Sequence, residues 1–242
     1  MRGAVASELL RSVSGLSVLA VYLVAVLLPA YVLFSDGSRF DAADLDAGEA
    51  TLRLMQPLAW AAVSAAFVGA YTVTREYYYG SMDRTLTAMG FRRAFVAKLV
   101  AGALIAVALT VCTALCWTVG TFFVLRAQGL VMEMTAPVWG VYGGAAGGAV
   151  FGAVMGASIG WISRNYYVTA IVVLGFPMIV EFAVLRTAPE VAKFSPGLAI
   201  AALGVPGYQG RLLDLVPALA VTVVWTAGLV AVAWARGRRS VA

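Results

Sequence analysis

Residues 99–125 read LVAGALIAVALTVCTALCWTVGTFFVL, 27 positions without a charge. A helix needs about 20 mainly apolar residues to cross the hydrocarbon core of a bilayer, so this stretch is a membrane span. Runs of the same kind lie at 16–34, 54–74, 138–162, 168–185 and 215–235. The first is too long for a signal peptide and lacks a small-residue cleavage site. Of the 242 residues, 62% are hydrophobic and 12% charged; soluble domains run nearer about half and a quarter. A soluble enzyme is excluded. The expected fold class is an all-α, polytopic membrane protein, a single transmembrane domain over 1–242 with six transmembrane helices and both termini on one side.

Charge assigns the side. Segments 1–15, 75–98, 163–167 and 236–242 hold eleven bases (Arg2, Arg11, Arg75, Arg84, Arg92, Arg93, Lys98, Arg164, Arg236, Arg238 and Arg239) and three acids (Glu8, Glu76 and Asp83). The other segments hold six bases and nine acids, and the formal net charge is +5. Cytoplasmic loops carry the excess of Lys and Arg. Both termini and the 75–98 loop are therefore expected in the cytoplasm, with the chain multi-pass in the cell's inner or plasma membrane. The basic balance belongs to topology and the lipid bilayer, so no nucleic-acid partner is invoked.

The chain contains no histidine, which removes Ser-His-Asp and Cys-His catalysis, His-based zinc sites and imidazole proton relays. Cys112 and Cys116, four apart in an apolar run, share one helix face. They read as packing residues, since a free cysteine usually behaves as a small buried hydrophobe. A P-loop needs Gly-Lys-Ser/Thr to hold phosphates. Lys98 follows Ala97 and Lys193 follows Ala192, so any ATP that drives this protein is held by another chain.

Several segments depart from plain spans. Residues 2–14 place Val5, Leu9 and Val13 at helical spacing, either as an amphipathic helix along the interface or as a charged flank to the first span. Residues 35–50 hold Asp36, Asp41, Asp44, Asp46 and Glu49 without EF-hand spacing, and read as a solvated external loop. Residues 187–212 are too apolar for a free loop. Pro196-Gly197 can open a short helix through Leu203 that dips back into the membrane as an external re-entrant segment. In the fourth span Gly144, Gly148, Gly152, Gly156 and Gly160 recur every four residues, with Gly143 and Gly147 alongside. That ridge lets another helix approach closely; a substrate-lining or hinge role is the other reading. Glu181 is the one acid well inside a span. An intramembrane charge is a functional candidate, as a polar site for a cation, or it sits at the interface beside Arg186.

The most informative stretch is 74–98, TREYYYGSMDRTLTAMGFRRAFVAK. Gly80 breaks the second span, and Ser81 or Asp83 can cap a short amphipathic helix. Arg84, Arg92 and Arg93 can meet acids on a partner, while Tyr77, Tyr78, Tyr79 and Phe91 supply apolar anchors. A basic, lipid-facing loop with an aromatic belt fits the same residues.

This stretch resembles the ABC-2 type permeases of bacterial ABC transporters. In that family a Glu ends the second span and a Gly-Ser/Thr pair follows. A short helix of the type Leu-x-x-x-Pro/Gly, an Arg, and an Ala-Lys opening the third span come next. The matching residues are Glu76, Gly80-Ser81, Leu86, Gly90, Arg93 and Ala97-Lys98, with Gly90 where proline is common. Residues 152–165, ending in Ser163-Arg164-Asn165, are similar to the family's junction between fourth and fifth helices. Phe194-Ser195-Pro196-Gly197 and the close in Arg236-Gly237-Arg238-Arg239 are similar to its C-terminal third, so the likeness spans about 70–242.

The resemblance implies an ABC-2, type V exporter-like permease fold. Its cytoplasmic coupling segment, 75–98, would dock on an ATP-binding subunit through Glu76, Tyr79, Gly80, Ser81, Arg84, Phe91, Arg92 and Arg93. Two such subunits, carrying ATP and magnesium, and a second permease copy or close relative would complete the assembly. This chain would hold no cofactor and no metal, and would not itself be an enzyme. Export of a hydrophobic drug, a lantibiotic-like peptide antibiotic or a lipid-like metabolite is the function implied. The alternatives are a secondary transporter driven by an ion gradient through Glu181, and a membrane scaffold or sensor without transport.

Overall fold

The computed structural model describes residues 2–13 and 45–239. The expected first span, 16–34, lies outside the described residues, as does 35–44 of the acidic stretch. All regular structure among the described residues is helical: α1 (Arg2–Val13), α2 (Ala47–Tyr78), α3 (Met82–Met89), α4 (Phe91–Ala127), α5 (Ala136–Ser163), α6 (Tyr166–Thr187), α7 (Pro189–Ala192), α8 (Pro196–Ala201) and α9 (Leu215–Arg239). Five of these, α2, α4, α5, α6 and α9, are long and apolar enough to cross a membrane. The chain is a multi-pass membrane protein.

The five spans sit where the apolar runs lie, but α2 and α4 begin well before those runs. Asp46 accepts a hydrogen bond from the Glu49 amide at 2.7 Å, an N-cap that starts α2 at Ala47. Residues 47–50 are thus helix, not external loop. Helix α4 starts directly after Gly90 and runs for 37 residues, roughly 55 Å at 1.5 Å per residue. That exceeds the hydrocarbon thickness of about 30 Å, so its first turns, with Arg92, Arg93 and Lys98, extend toward the basic end.

The core is the contact of α5 with α2, and glycine makes it. A Cβ on Gly152 would lie 2.5 Å from the Ala62 carbonyl oxygen, and one on Gly156 would overlap that of Ala66. From the other side, a Cβ on Gly69 would overlap the Ala153 backbone. Gly160 faces Ala70, Val73 and Thr74. Further along the ridge, Gly148 meets Ile200 and Gly144 meets the Gly204 backbone. The ridge thus clasps α2 and the segment after α8 with one face. Lipid tails are as apolar as leucine, so close backbone approach and dispersion hold spans together. Gly143 and Gly147 face open space and take no part. Two threonine hydroxyls inside α2 bond to their own helix, Thr72 donating to Gly69 O at 2.7 Å and Thr74 to Ala70 O at 2.9 Å.

Cys112 and Cys116 correct their expected role, for both lie on the exposed face of α4. That face also exposes Val111, Leu115 and Val119, a surface suited to lipid, so the pair does not pack a core.

Long-range contacts gather the basic segments at one end. Arg164 Nη2 donates to Arg236 O at 3.0 Å, joining the ends of α5 and α9. The ring of Phe91 at the start of α4 lies 5.6 Å from Trp161 and 5.1 Å from Trp234. At the opposite end, the Glu133 amide donates to Thr51 Oγ1 at 3.1 Å and Trp117 Nε1 to Leu54 O at 2.7 Å.

Candidate functional site

Two places bring chemistry-bearing groups together. The first is the basic end. Helix α3 hangs between Gly80 (φ 64°) and Gly90 (φ 75°), positive-φ positions that glycine occupies without a Cβ clash. It buries Met82 and Thr85 against the bundle. Ser81 occupies the N-cap position without a side-chain hydrogen bond, so the expected Ser81 cap does not form; Asp83 stands in the first turn, where it favours the helix dipole.

Beneath α3 lies a buried ionic group. Lys98 is fully buried, and its Nζ donates to Glu8 Oε2 at 2.8 Å and to Thr72 O at 3.2 Å. It also sits 2.8 Å from Glu76 Oε1. Arg11 Nη1 reaches Glu76 Oε1 at 3.3 Å, Thr85 Oγ1 at 3.2 Å and Glu8 Oε1 at 3.5 Å. Arg75 Nη1 donates to Arg11 O at 2.6 Å. Two acids and two bases thus tie α1, α2, α3 and α4 together, beside a polar cleft of about 340 Å³ that Tyr79, Ser81 and Arg84 also line.

This geometry sorts the residues singled out in 75–98. Glu76 is turned inward and its Oε1 is taken by Lys98 and Arg11, so it holds the loop and offers no surface contact. Phe91 is also internal, between Phe95, Trp161 and Trp234. Tyr79, Gly80, Arg84, Arg92 and Arg93 are exposed, and Ser81 is half-buried. Together with Tyr78 they form a basic, aromatic surface around α3. Among the described side chains of α1, Glu8 is the most buried while Leu10 is exposed. The helix therefore meets the bundle through an acid and not through an apolar stripe alone. Sequence reading missed the Glu8–Lys98 pair. The available signal was an acid beside Val5 and Leu9 on the buried stripe, which needs a buried partner.

The second place is around Glu181. Residues Ile171–Glu181 of α6 form a π-helical stretch. Pro177 lies within it; proline has no N–H to give and crowds the carbonyl four residues earlier. Glu181, 1% exposed, accepts from the Gly197 amide at 2.8 Å, so this acid is engaged with the start of α8. Helix α8 opens at Pro196 as expected and ends at Ala201, with turns continuing through Gly204. A cavity of about 540 Å³ lies between α2, α5, α6, α8 and α9, with Glu181 in its wall.

Comparison with protein-family models and with curated proteins finds no match.

Proposed function

We propose that this chain is the membrane permease subunit of an ATP-driven exporter of the ABC-2 type. It would have six spans and cytoplasmic termini in the inner or plasma membrane, and pair with a second permease copy and two ATP-binding subunits. The observation that carries this is the mounting of α3. Positive-φ glycines bracket a short helix between two spans. The helix presents exposed Arg84, with Tyr79 exposed just before it and Arg92 and Arg93 at the start of α4, and the buried Glu8–Arg11–Glu76–Lys98 group anchors its base. A partner that pushes or pulls on α3 thus acts on α1, α2 and α4 together. The order of motifs in 74–98 supports the same reading.

The test is co-purification. Full-length chain drawn from its native membrane should bring down an ATP-hydrolysing subunit, and Arg92→Glu with Arg93→Glu should release it while the permease stays folded. Reversed charges at an interface cost several kcal/mol through like-charge contact, so the loss should be near complete. Retention of the ATPase by the double variant, or its absence from the wild-type preparation, would sink the proposal.

A further inference from the structure

Glu181 Oε1 is occupied by the Gly197 amide, while Oε2 is buried without a hydrogen bond and has the buried, equally unbonded Ser195 hydroxyl as a neutral donor nearby. Among the described residues no lysine or arginine lies within ion-pair distance of this carboxylate. Arg186 is five positions on, and Lys193 is paired with Glu190. A buried carboxylate oxygen without a partner is costly, and a cation or a hydrogen-bond donor relieves that cost.

The cavity that Glu181 lines is otherwise apolar and aromatic. Trp60, Phe176, Phe194 and Trp225 contribute to its wall, with Met155 and Leu229. Trp60 is held by stacking on Phe182 at 4.8 Å, and Trp225 by its Nε1 donating to Phe194 O at 3.0 Å. Aromatic faces attract cations through the ring quadrupole. The volume of about 540 Å³ suits a drug-sized molecule, for which pockets run about 300–1,000 Å³. An anion here would meet the Glu181 carboxylate, which repels it.

We propose that this cavity binds a lipophilic monocation, its charge held on the side of the wall that Glu181 forms and its apolar body among Trp60, Phe176, Phe194 and Trp225. As a statement about binding this rests on the cavity alone; as a statement about exported substrate it rests on the permease reading above.

The probe is tetraphenylphosphonium, with tetraphenylborate as a control of the same shape and opposite charge. Full-length chain is placed in zwitterionic-lipid nanodiscs, and equilibrium binding is measured against empty discs. Wild type should bind tetraphenylphosphonium saturably, one per chain, and tetraphenylborate not at all. Glu181→Gln should weaken binding at least tenfold. Leu229→Trp, which fills the cavity and leaves the carboxylate intact, should do the same and keeps the test decisive if Glu181→Gln fails to fold. Absence of saturable binding, equal binding of both ions, or wild-type affinity in either folded variant overturns the proposal. ATPase co-purification is read separately. Cation binding without an ATPase refutes only the permease reading, and an ATPase without cation binding refutes only this site.

Discussion

Lys98→Met should destabilise this protein more than any single change at its exposed surface. The four charges of Glu8, Arg11, Glu76 and Lys98 balance. Lys98 is 0% exposed, with contacts of 2.8 Å to each of two carboxylates whose side chains are 1% and 9% exposed. Methionine fills a similar volume but leaves both acids to Arg11, which is 55% exposed and stands 3.3 and 3.5 Å away. Removing one member of a buried ion pair costs about 3–5 kcal/mol, and at about 2–4 °C per kcal/mol the Tm should fall by roughly 6–20 °C. Tryptophan fluorescence of the full chain in nanodiscs reads that shift, with Trp161 buried at the same end. Trypsin supplies a second reading, since α1 released from Lys98 should be cut faster at Arg11. Glu8→Gln should cost less, about 1–3 kcal/mol, because Lys98 keeps Glu76. Combining Glu8→Gln and Glu76→Gln with Lys98→Met should restore part of the loss, by removing the stranded charges. A Tm and a trypsin pattern for Lys98→Met indistinguishable from wild type would refute the buried network.

Gly156→Ala should destabilise by about 1–3 kcal/mol through overpacking, since its Cβ would overlap the Ala66 carbonyl oxygen. Gly147→Ala, which meets open space, should leave thermal stability at or above wild type; equal losses in the two would mean the ridge does not hold α5 to α2. Gly197→Ala should expel the Glu181 carboxylate from its bond to the Gly197 amide, a loss of about 1.5–3 kcal/mol for a charged hydrogen bond; unchanged unfolding would remove that contact. With both native cysteines replaced, Asp83→Cys and Glu133→Cys should label from opposite faces of the membrane, and labelling from one face would overturn the charge-derived orientation.

The five described spans were legible because membrane insertion is decided by runs of local hydropathy. Residues 99–125 needed no partner to announce themselves. The start of the short helix α8 was also legible, since Pro196-Gly197 is a local start signal, although its end at Ala201 was not. The glycine ridge could be counted in the sequence, with Gly148 on its four-residue repeat and Gly147 beside it, but what the ridge meets could not. Only the fold sets Gly148 against Ala62 and Ile200 and leaves Gly147 facing open space. Ser81 shows the limit of local rules, because a residue suited to capping sits at the cap position without bonding.

What the sequence by itself determined is that this chain lives in a membrane, where its spans lie and which segments share its basic side. Those properties are sums over neighbouring residues. The tertiary structure alone decided that Glu8 belongs to Lys98, ninety positions away, that Glu76 faces inward, and that Glu181 meets Gly197. A charge has no preferred partner until the fold removes it from water and brings one opposite charge or amide within about 3 Å, where the interaction in a low-dielectric interior outweighs any other choice. Pairing of that kind depends on how helices pack, and packing here depends on where α5 has no side chains to keep α2 away.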